Sequence, residues 1–506
     1  MRLTDFLVAI ADGGAIKAQS WSTSGNGMAT GQYYCRQVLG WLLLLACTSP
    51  APAQYRALAK LNLVATDSKG APVTDLRASD IQVREDGAPR PLVFFRFAGG
   101  KHEIAQPGIN EFVNRAGPPF TVVLLDRWNE RETTMASAWQ DIAAAVARLE
   151  NIDRLYIYYL ANHGELLPVR VLPGVETDLH VPEPPAASAL VAKLNESVRA
   201  LNGLRDVANI DPLERANKTM MALGIVSRMG AIAGPKSLVW VTHGFPLQVL
   251  SLTQQWVDFT SPLMDLAQTA MRAQVAIYTV DQSAQGAGAD VAGLSRQTLE
   301  LVSAQTGGRW YSSGRAAEAL AGVAKDSRGS YQLAYFSPVD AKAPKQHKLR
   351  VESTRKGVHL LTRAGFIGDE ATTNPDEIAD DVFARQSHSP FEAAEIGIRV
   401  VRTAKPTALH LDIHVDASDL YLEQRGDRFR GGLTIRFALY QDGTYEDSPP
   451  AFRLELDLRQ DQYDLAMKNG IVVPRDLEVT DKIGQVRVMV FDRTMRGLGS
   501  VTVPVK

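Results

Sequence analysis

The chain has almost no cysteine. Cys35 and Cys47 are the only two among its 506 residues, and both flank one short apolar run near the amino terminus. A mature protein that has lost this region keeps no pair for a disulfide bond. We therefore expect the mature chain to be stabilised by its packed cores alone.

Long apolar runs, an excess of one charge and common catalytic motifs are also missing. No run of about 18 apolar residues occurs, so no membrane-spanning helix is expected in the mature chain. A formal net charge of -2 gives no basic field that would attract nucleic acid or an anionic membrane. The chain has no Gly-x-Ser-x-Gly elbow, His-Glu-x-x-His helix or P-loop. These absences favour a non-enzymatic protein.

The amino-terminal region has the pattern of a signal peptide. The run Val38–Ala46 is too short to span a bilayer, Arg36 precedes it, and Ala51-Pro52-Ala53 fits a small-x-small cleavage pattern. We predict cleavage after Ala53 and a secreted, periplasmic or cell-envelope location, with residues 1–53 forming an over-long start plus signal peptide. Two alternatives stay open: a lipid anchor on Cys47, which ends Leu44-Leu-Ala-Cys47, and an apolar core segment.

The chain has the composition of a globular protein and a length that suits about three domains. It is 45% apolar and 22% charged. The run Phe120–Asn129 is apolar on both faces and then ends in Asp126, which predicts a buried parallel strand with a polar carboxyl end. Strand and helix patterns alternate after it, including a helix predicted at Gln254–Arg272, so we expect a doubly wound α/β domain.

Regions on both sides of this α/β pattern read as β-structure. Residues 54–100 contain the turn signal Asp86-Gly87 between apolar segments. Residues 389–506 contain four alternating segments, typical of antiparallel strands with one wet face. Residues 368–388 are polar and are predicted to be a linker. The predicted units are therefore a β-sandwich-like module at 54–100, the α/β domain at 117–367 and a second β-sandwich at 389–506.

Six motifs in order carry a resemblance to a known family. They are Leu125-Asp126-Arg127-Trp128-Asn129, Lys236–Phe245, Val275–Asp281, Thr306–Trp310, Ser330–Tyr335 and Arg363–Phe366. Together they resemble the von Willebrand factor A-related (VWFA-related) proteins that bacteria secrete. The resemblance implies a mostly parallel, Rossmann-like sheet, flanked here by the two β-sandwich-like domains.

The resemblance also implies a cation site at the carboxyl edge of the sheet, in degenerate form. Family members that bind Mg²⁺ use Asp-x-Ser-x-Ser, a threonine and a second aspartate, but here Trp128 and Glu130 occupy the serine positions. The residues that could still surround Mg²⁺ or Ca²⁺ are Asp126, Asn129, Glu130, Thr219 and His243. Because two hydroxyls and one carboxylate are lost, we expect no cofactor, and Asp126 and Asn129 are expected to cap the following loop.

A second set of ligand-type residues lies on one predicted strand. His410, Asp412 and His414 alternate with apolar residues and so share one face, which could ligate zinc or could be a solvated outer face.

These observations together favour an exported, non-enzymatic binding or adhesion-type protein that recognises a protein partner at the carboxyl edge of the sheet. Two alternatives are a metal-dependent hydrolase using Asp126, Glu130 and His243, and a structural component of a cell-envelope assembly. No nucleic-acid partner is expected. The sequence names neither the protein partner nor a substrate.

Overall fold

The computed structural model describes most of the chain beyond the amino-terminal region. The described residues are 57–99, 108, 110–114, 119–129, 135–149, 151–161, 164–174, 178–180, 183, 185–201, 210–282, 289–312, 315–338, 346–367, 375–404 and 408–505. The predicted signal peptide, the possible anchor at Cys47 and the candidate ligand Glu130 lie outside the described residues. Among the described residues, every helix is too short or too polar to cross a membrane.

The secondary structure elements follow one another in this order. The first group is β1 (Ala57–Thr66), β2 (Ile81–Glu85), β3 (Ala88–Arg90), β4 (Leu92–Phe97), β5 (Glu111–Val113), β6 (Phe120–Asp126), α1 (Met135–Ala147), β7 (Leu155–Leu160), β8 (Leu166–Arg170), α2 (Ala187–Leu201), α3 (Pro212–Leu223) and α4 (Ile225–Met229). The second is β9 (Lys236–Thr242), β10 (Gln248–Leu250), β11 (Trp256–Asp258), α5 (Thr260–Arg272), β12 (Val275–Asp281), α6 (Ala289–Thr306), β13 (Trp310–Tyr311), α7 (Ala316–Arg328), β14 (Ser330–Ser337), β15 (Gln346–Ser353), β16 (His359–Leu361) and β17 (Gly365–Ile367). The third is α8 (Pro375–Ser387), β18 (Ile398–Ala404), β19 (Leu409–Val415), β20 (Glu423–Arg425), β21 (Arg428–Gln441), β22 (Thr444–Asp447), β23 (Phe452–Arg459), α9 (Gln460–Asn469), β24 (Ile471–Leu477), β25 (Gln485–Asp492) and β26 (Leu498–Pro504).

A six-stranded sheet with the order β13-β12-β9-β6-β7-β8 contains the predicted central strand. Every residue of β6 is buried. Its alternate side chains enter two different cores, with Val122 and Leu124 on one face and Val123 and Leu125 on the other. Helices α3 to α6 contribute to the first core, and α1, α2 and α7 contribute to the second. Burial on both faces explains why this strand has no polar position before Asp126.

The prediction of a doubly wound, mostly parallel α/β fold of the von Willebrand factor A-like, Rossmann-like kind is wrong for this chain. The described part of the chain has more strand than helix, 41% against 29%. Five of the six sheets of the described residues pair only antiparallel strands. Even the six-stranded sheet is mixed, because β8 runs antiparallel to β7. Strands with one wet face and short hairpin connections pair antiparallel, and such strands outnumber the buried ones here.

The strands near the amino terminus pair with strands that come far later in the chain. Strand β1 lies between β14 and β16, and β2 lies between β15 and β3. Asp86 and Gly87 form the predicted turn between β2 and β3, with positive φ angles of 50° and 82°. The segment from Phe120 to Tyr311 is thus inserted between two halves of one two-sheet unit. The sequence had placed residues 330–367 with the α/β domain instead.

The carboxyl-terminal strands form two antiparallel sheets around a shared core. One sheet has the order β24-β19-β18-β5 and the other contains β20, β21, β25 and β26. The segment predicted to be a linker, 368–388, contains helix α8. Ala379 and Phe383 of α8 are buried, and they pack with Tyr440 and Phe491. The apolar spacing of four residues between them suits one helix face.

Candidate functional site

The carboxyl edge of the six-stranded sheet brings together side chains from three segments. Strand β6 pairs in parallel with β7 and β9, so that Leu125 lies opposite Val241 and Asp126 lies opposite Leu160. Asp126 is therefore the last residue of a central strand, with Thr242 at the end of its neighbour. Thr219 of α3 is also completely buried at this edge.

The carboxylate of Asp126 accepts four hydrogen bonds. Its Oδ2 accepts from Nδ2 of Asn129 at 2.7 Å, Oγ1 of Thr242 at 2.6 Å and Nε1 of Trp240 at 3.2 Å. Its Oδ1 accepts from the backbone N–H of Asn129 at 3.1 Å. Burial raises the pKa of Asp126, whereas the hydrogen bonds from Thr242 and Asn129 lower it, and burial has the larger effect.

A second layer of hydrogen bonds connects this carboxylate to helix α3. Nδ2 of Asn129 also donates to Oγ1 of Thr219 at 2.8 Å, and that hydroxyl donates to the carbonyl of Arg215 at 2.9 Å. Nε1 of Trp128 donates to the same carbonyl at 3.1 Å. The loop after β6 is thus fixed to both the sheet and the helix.

In their described geometry, Asp126 and Asn129 do not suit a resident cation. Asn129 turns its amide protons, not its oxygen, towards Asp126, and Oδ2 of Asp126 already accepts three hydrogen bonds. A cation would have to displace these donors, and Mg²⁺ requires a nearly octahedral set of oxygens. Oδ1 of Asn129 is buried and has no hydrogen-bond partner among the described residues, but one amide oxygen is a weak site on its own. In the part of the chain that the structure describes, no three His, Cys, Asp or Glu side chains could hold a metal ion together.

Three of the five predicted site residues come together. Asp126, Asn129 and Thr219 form one continuous network. His243 is buried directly after β9, but among the described residues the donors to the Asp126 carboxylate are Asn129, Trp240 and Thr242. Glu130 is not among the described residues. The metal role of these five residues remains a prediction that this geometry does not favour.

Two residues of the network, Trp240 and Thr242, were missed by the sequence analysis. Both lie on β9, which was predicted as a buried strand. Side chains two apart on a strand point to the same side. An indole and a hydroxyl at the last alternate positions of a buried strand need polar partners, and the neighbouring aspartate was the obvious acceptor.

A small antiparallel ribbon, β10 and β11, follows the carboxyl end of β9. Val249 is buried against the core of the six-stranded sheet, and partly buried Val257 packs on the same core. Two large apolar side chains of the ribbon are exposed: Leu252 at its turn, 66% exposed, and Trp256 on β11, 69% exposed. The sequence had predicted the start of a helix here, at Gln254, and so gave no sign of this surface.

The turn of the ribbon is held by hydrogen bonds on two sides. Oδ1 of Asp211 accepts from the backbone N–H of Leu213, at the start of α3, and from that of Leu252, at 2.9 and 3.2 Å. Within the turn, the backbone N–H of Ser251 donates to the carbonyl of Gln255 at 2.9 Å, and Gln255 donates back to Oγ of Ser251 at 3.2 Å. Leu252 and Trp256 are therefore exposed on a fixed frame.

The histidines of β19 have separate partners rather than a common ligand. Nδ1 of His410 lies 2.6 Å from Asp476, and its Nε2 lies 3.3 Å from Asp412. Nδ1 of His414 lies 3.1 Å from the guanidinium of Arg399. Burial and then Arg399 lower the pKa of His414. This arrangement is that of a solvated ionic face and not of a zinc site.

Comparison with known proteins finds matches among solved structures. No protein-family model matches the chain, and no curated protein matches it. It is similar to the open conformation of the pilus adhesin SpaC from Lactobacillus rhamnosus GG, with 10% identity and a TM-score of 0.29, over 86% of this chain and 57% of that one. A second structure of the same adhesin gives 9% identity and a TM-score of 0.27, over 86% and 58%. The chain spans less than two thirds of the adhesin, and scores this low carry no argument about its fold or function.

Proposed function

We propose that this chain is a non-enzymatic binding protein that recognises a protein partner through the β10–β11 ribbon. The observation that supports this proposal is the exposure of Leu252 and Trp256 on a fixed frame. Large apolar side chains that are both exposed and held in place are typical anchors of protein interfaces. A rigid frame also lowers the conformational entropy that is lost when a partner binds.

The Asp126 network supports a binding role over a catalytic one. Asp126 is completely buried and its carboxylate accepts four hydrogen bonds, so its oxygens are engaged with the protein's own donors. A general base needs a free lone pair within reach of the substrate. We propose that Asp126, Asn129 and Thr219 organise the loops at the carboxyl edge, which in turn carry the ribbon.

Removal of the two exposed anchors is expected to abolish partner binding. The double variant Leu252→Ser and Trp256→Ser should retain at least about tenfold less of the partner protein, because buried anchor residues each contribute roughly 2 kcal/mol or more to binding. The measurement is affinity capture from cell-envelope extract with the purified mature chain. Every retained protein is quantified for the wild type and for the variant.

The matched control is Val171→Ser. Val171 is 59% exposed and directly follows β8. The last residues of β8 pair with the beginning of β7, so Val171 lies away from the carboxyl edge of the sheet that bears the ribbon. This variant should retain the same proteins as the wild type. Equal retention by the double variant would refute the proposed function.

We further propose that the chain is exported, on the pattern of its amino-terminal region. The apolar run Val38–Ala46 and the following Ala51-Pro52-Ala53 support cleavage by a signal peptidase. Amino-terminal sequencing of the secreted or periplasmic protein is expected to begin at Gln54. An intact amino terminus on cytosolic protein, either at Met1 or at Met28, where a signal peptide of normal length would start, would contradict export. A lipid on Cys47 would indicate an anchored form instead.

A further inference from the structure

The outward face of the ribbon has a definite chemical composition. In its antiparallel register Leu250 lies opposite Trp256, and Gln248 lies opposite Asp258. Because strand side chains alternate, these four residues share the face that points away from buried Val249. The face therefore presents an indole and an aliphatic side chain beside an exposed carboxylate and an amide.

Asp258 lies in a stretch of sequence that has no lysine or arginine to balance its negative charge. No lysine or arginine occurs from Ser237 to Met271. The Asp258 carboxylate accepts hydrogen bonds from the backbone N–H of Thr260 at 2.7 Å and the side chain of Gln248 at 3.4 Å. The hydrogen bond from the side chain of Thr260, followed by the one from its backbone N–H, lowers the pKa of Asp258, so this carboxylate stays ionised.

The cations on the neighbouring helix are directed elsewhere. On α3, the side chains of Arg215 and Lys218 lie over the ring of Trp128, at 5.9 and 5.4 Å from its centroid. Lys218 also pairs with Glu214 at 2.9 Å. Among the described residues, these cations do not pair with Asp258, and the face is complementary to a positively charged partner.

We propose that the ribbon binds a protein segment that presents an arginine beside an aliphatic side chain. This inference rests on the proposed function and specifies its partner. Trp256 and Asp258 are two residues apart on one strand, which is about 6.8 Å along its axis. An arginine that stacks its planar guanidinium on the indole can therefore reach the carboxylate with its N–H donors. Leu250 and Leu252 offer apolar contact to the neighbouring aliphatic side chain.

The probe is a short fluorescent peptide of alternating leucine and arginine. Its matched counterpart carries citrulline, which keeps the shape of arginine but has no charge, and fluorescence anisotropy with the full mature chain gives both dissociation constants. We expect the arginine peptide to bind at least about tenfold more tightly, because a hydrogen bond between two charged groups is stronger than one from a neutral donor. High salt should reduce this preference.

The decisive variant is Asp258→Asn, which removes the charge but keeps an oxygen that can accept the hydrogen bond from Thr260. It should bind both peptides equally. The matched control is Asp265→Asn, at another exposed carboxylate of the same stretch, on α5, and it should keep the preference of the wild type.

The outcomes separate the inference from the function on which it rests. Equal binding of both peptides by the wild type, or an unchanged preference in Asp258→Asn, would overturn the arginine partner but leave the ribbon as a binding surface. Unchanged retention of captured proteins by the Leu252→Ser and Trp256→Ser double variant would overturn both.

Discussion

Replacing Asp126 with alanine is expected to lower the free energy of unfolding by about 3 to 5 kcal/mol, because each buried donor left without an acceptor costs roughly 1 to 3 kcal/mol and several donors lose theirs. The change would leave the indole N–H of Trp240, the hydroxyl of Thr242 and two N–H groups of Asn129 without their acceptor. All of these groups are at a site that water does not reach, because Asp126 is completely buried. Urea denaturation of the purified variant gives the loss directly.

Two controls make this prediction specific. Asp126→Asn keeps one oxygen for the three donors that now meet Oδ2, so it should lose less stability than the alanine variant. Adding Mg²⁺ to the wild type should leave its melting temperature unchanged. If the site bound Mg²⁺, a concentration of about a hundred times the dissociation constant would instead raise the free energy of unfolding by roughly 2.7 kcal/mol. A loss below about 1 kcal/mol in Asp126→Ala, or a Mg²⁺ shift that this variant abolishes, would contradict the network described here.

Lys236 is expected to make the stability of the chain depend strongly on pH. This residue begins β9 and is 4% exposed, and its Nζ donates to the carbonyls of Ile232 and Gly234 at 2.6 and 2.5 Å. Burial lowers its pKa from 10.5 to about 7. Between these two values the unfolded chain binds a proton that the folded chain does not, so stability falls as the pH decreases from 10.5 towards 7 and is then constant.

Lys236→Met should remove this dependence. Each pH unit in that window corresponds to about 1.4 kcal/mol. Between roughly pH 7 and pH 9 the free energy of unfolding of the wild type should therefore rise by about 2 kcal/mol or more relative to that of the variant. Denaturant unfolding of both proteins at several pH values in this range measures the difference. Lys193→Met is the matched control on the exposed face of α2, and its stability should follow that of the wild type. Parallel curves for the wild type and Lys236→Met would show that Lys236 is not neutral in the fold.

Patterns of burial were the part of the fold that the sequence could predict. The apolar run before Asp126 forms a strand that is buried along its whole length. The alternating segments of the carboxyl-terminal region form strands such as β19 and β25. Asp126 and Thr219 were expected at one edge of a sheet, and the structure links them through Asn129. These features depend on local periodicity or on one motif, and both are visible in a single sequence.

The features that depend on distant contacts could not be predicted. The pairing of β1 with β14 joins residues more than 250 positions apart, and no local pattern encodes it. Gln254 and Gln255 favour helix by propensity, but Val249 and Val257 are packed against the core by an antiparallel ribbon. The fold class was wrong for the same reason, since local alternation does not show how many strands will pair antiparallel.

The insertion of residues 120–311 between the two halves of one unit has a consequence for the order of events during synthesis. When β1, β2 and β4 leave the ribosome, their partner strands β14 and β15 are still roughly 230 to 270 residues away. At roughly 5–20 residues per second, these early strands wait on the order of tens of seconds with unpaired edges. The inserted segment, by contrast, can form its own sheet as soon as β13 has been made. A nascent chain that stops near residue 328, after α7 has completed the second core of the insert, would therefore carry a finished insert and exposed apolar strands, and would be a ready substrate for chaperones or for aggregation.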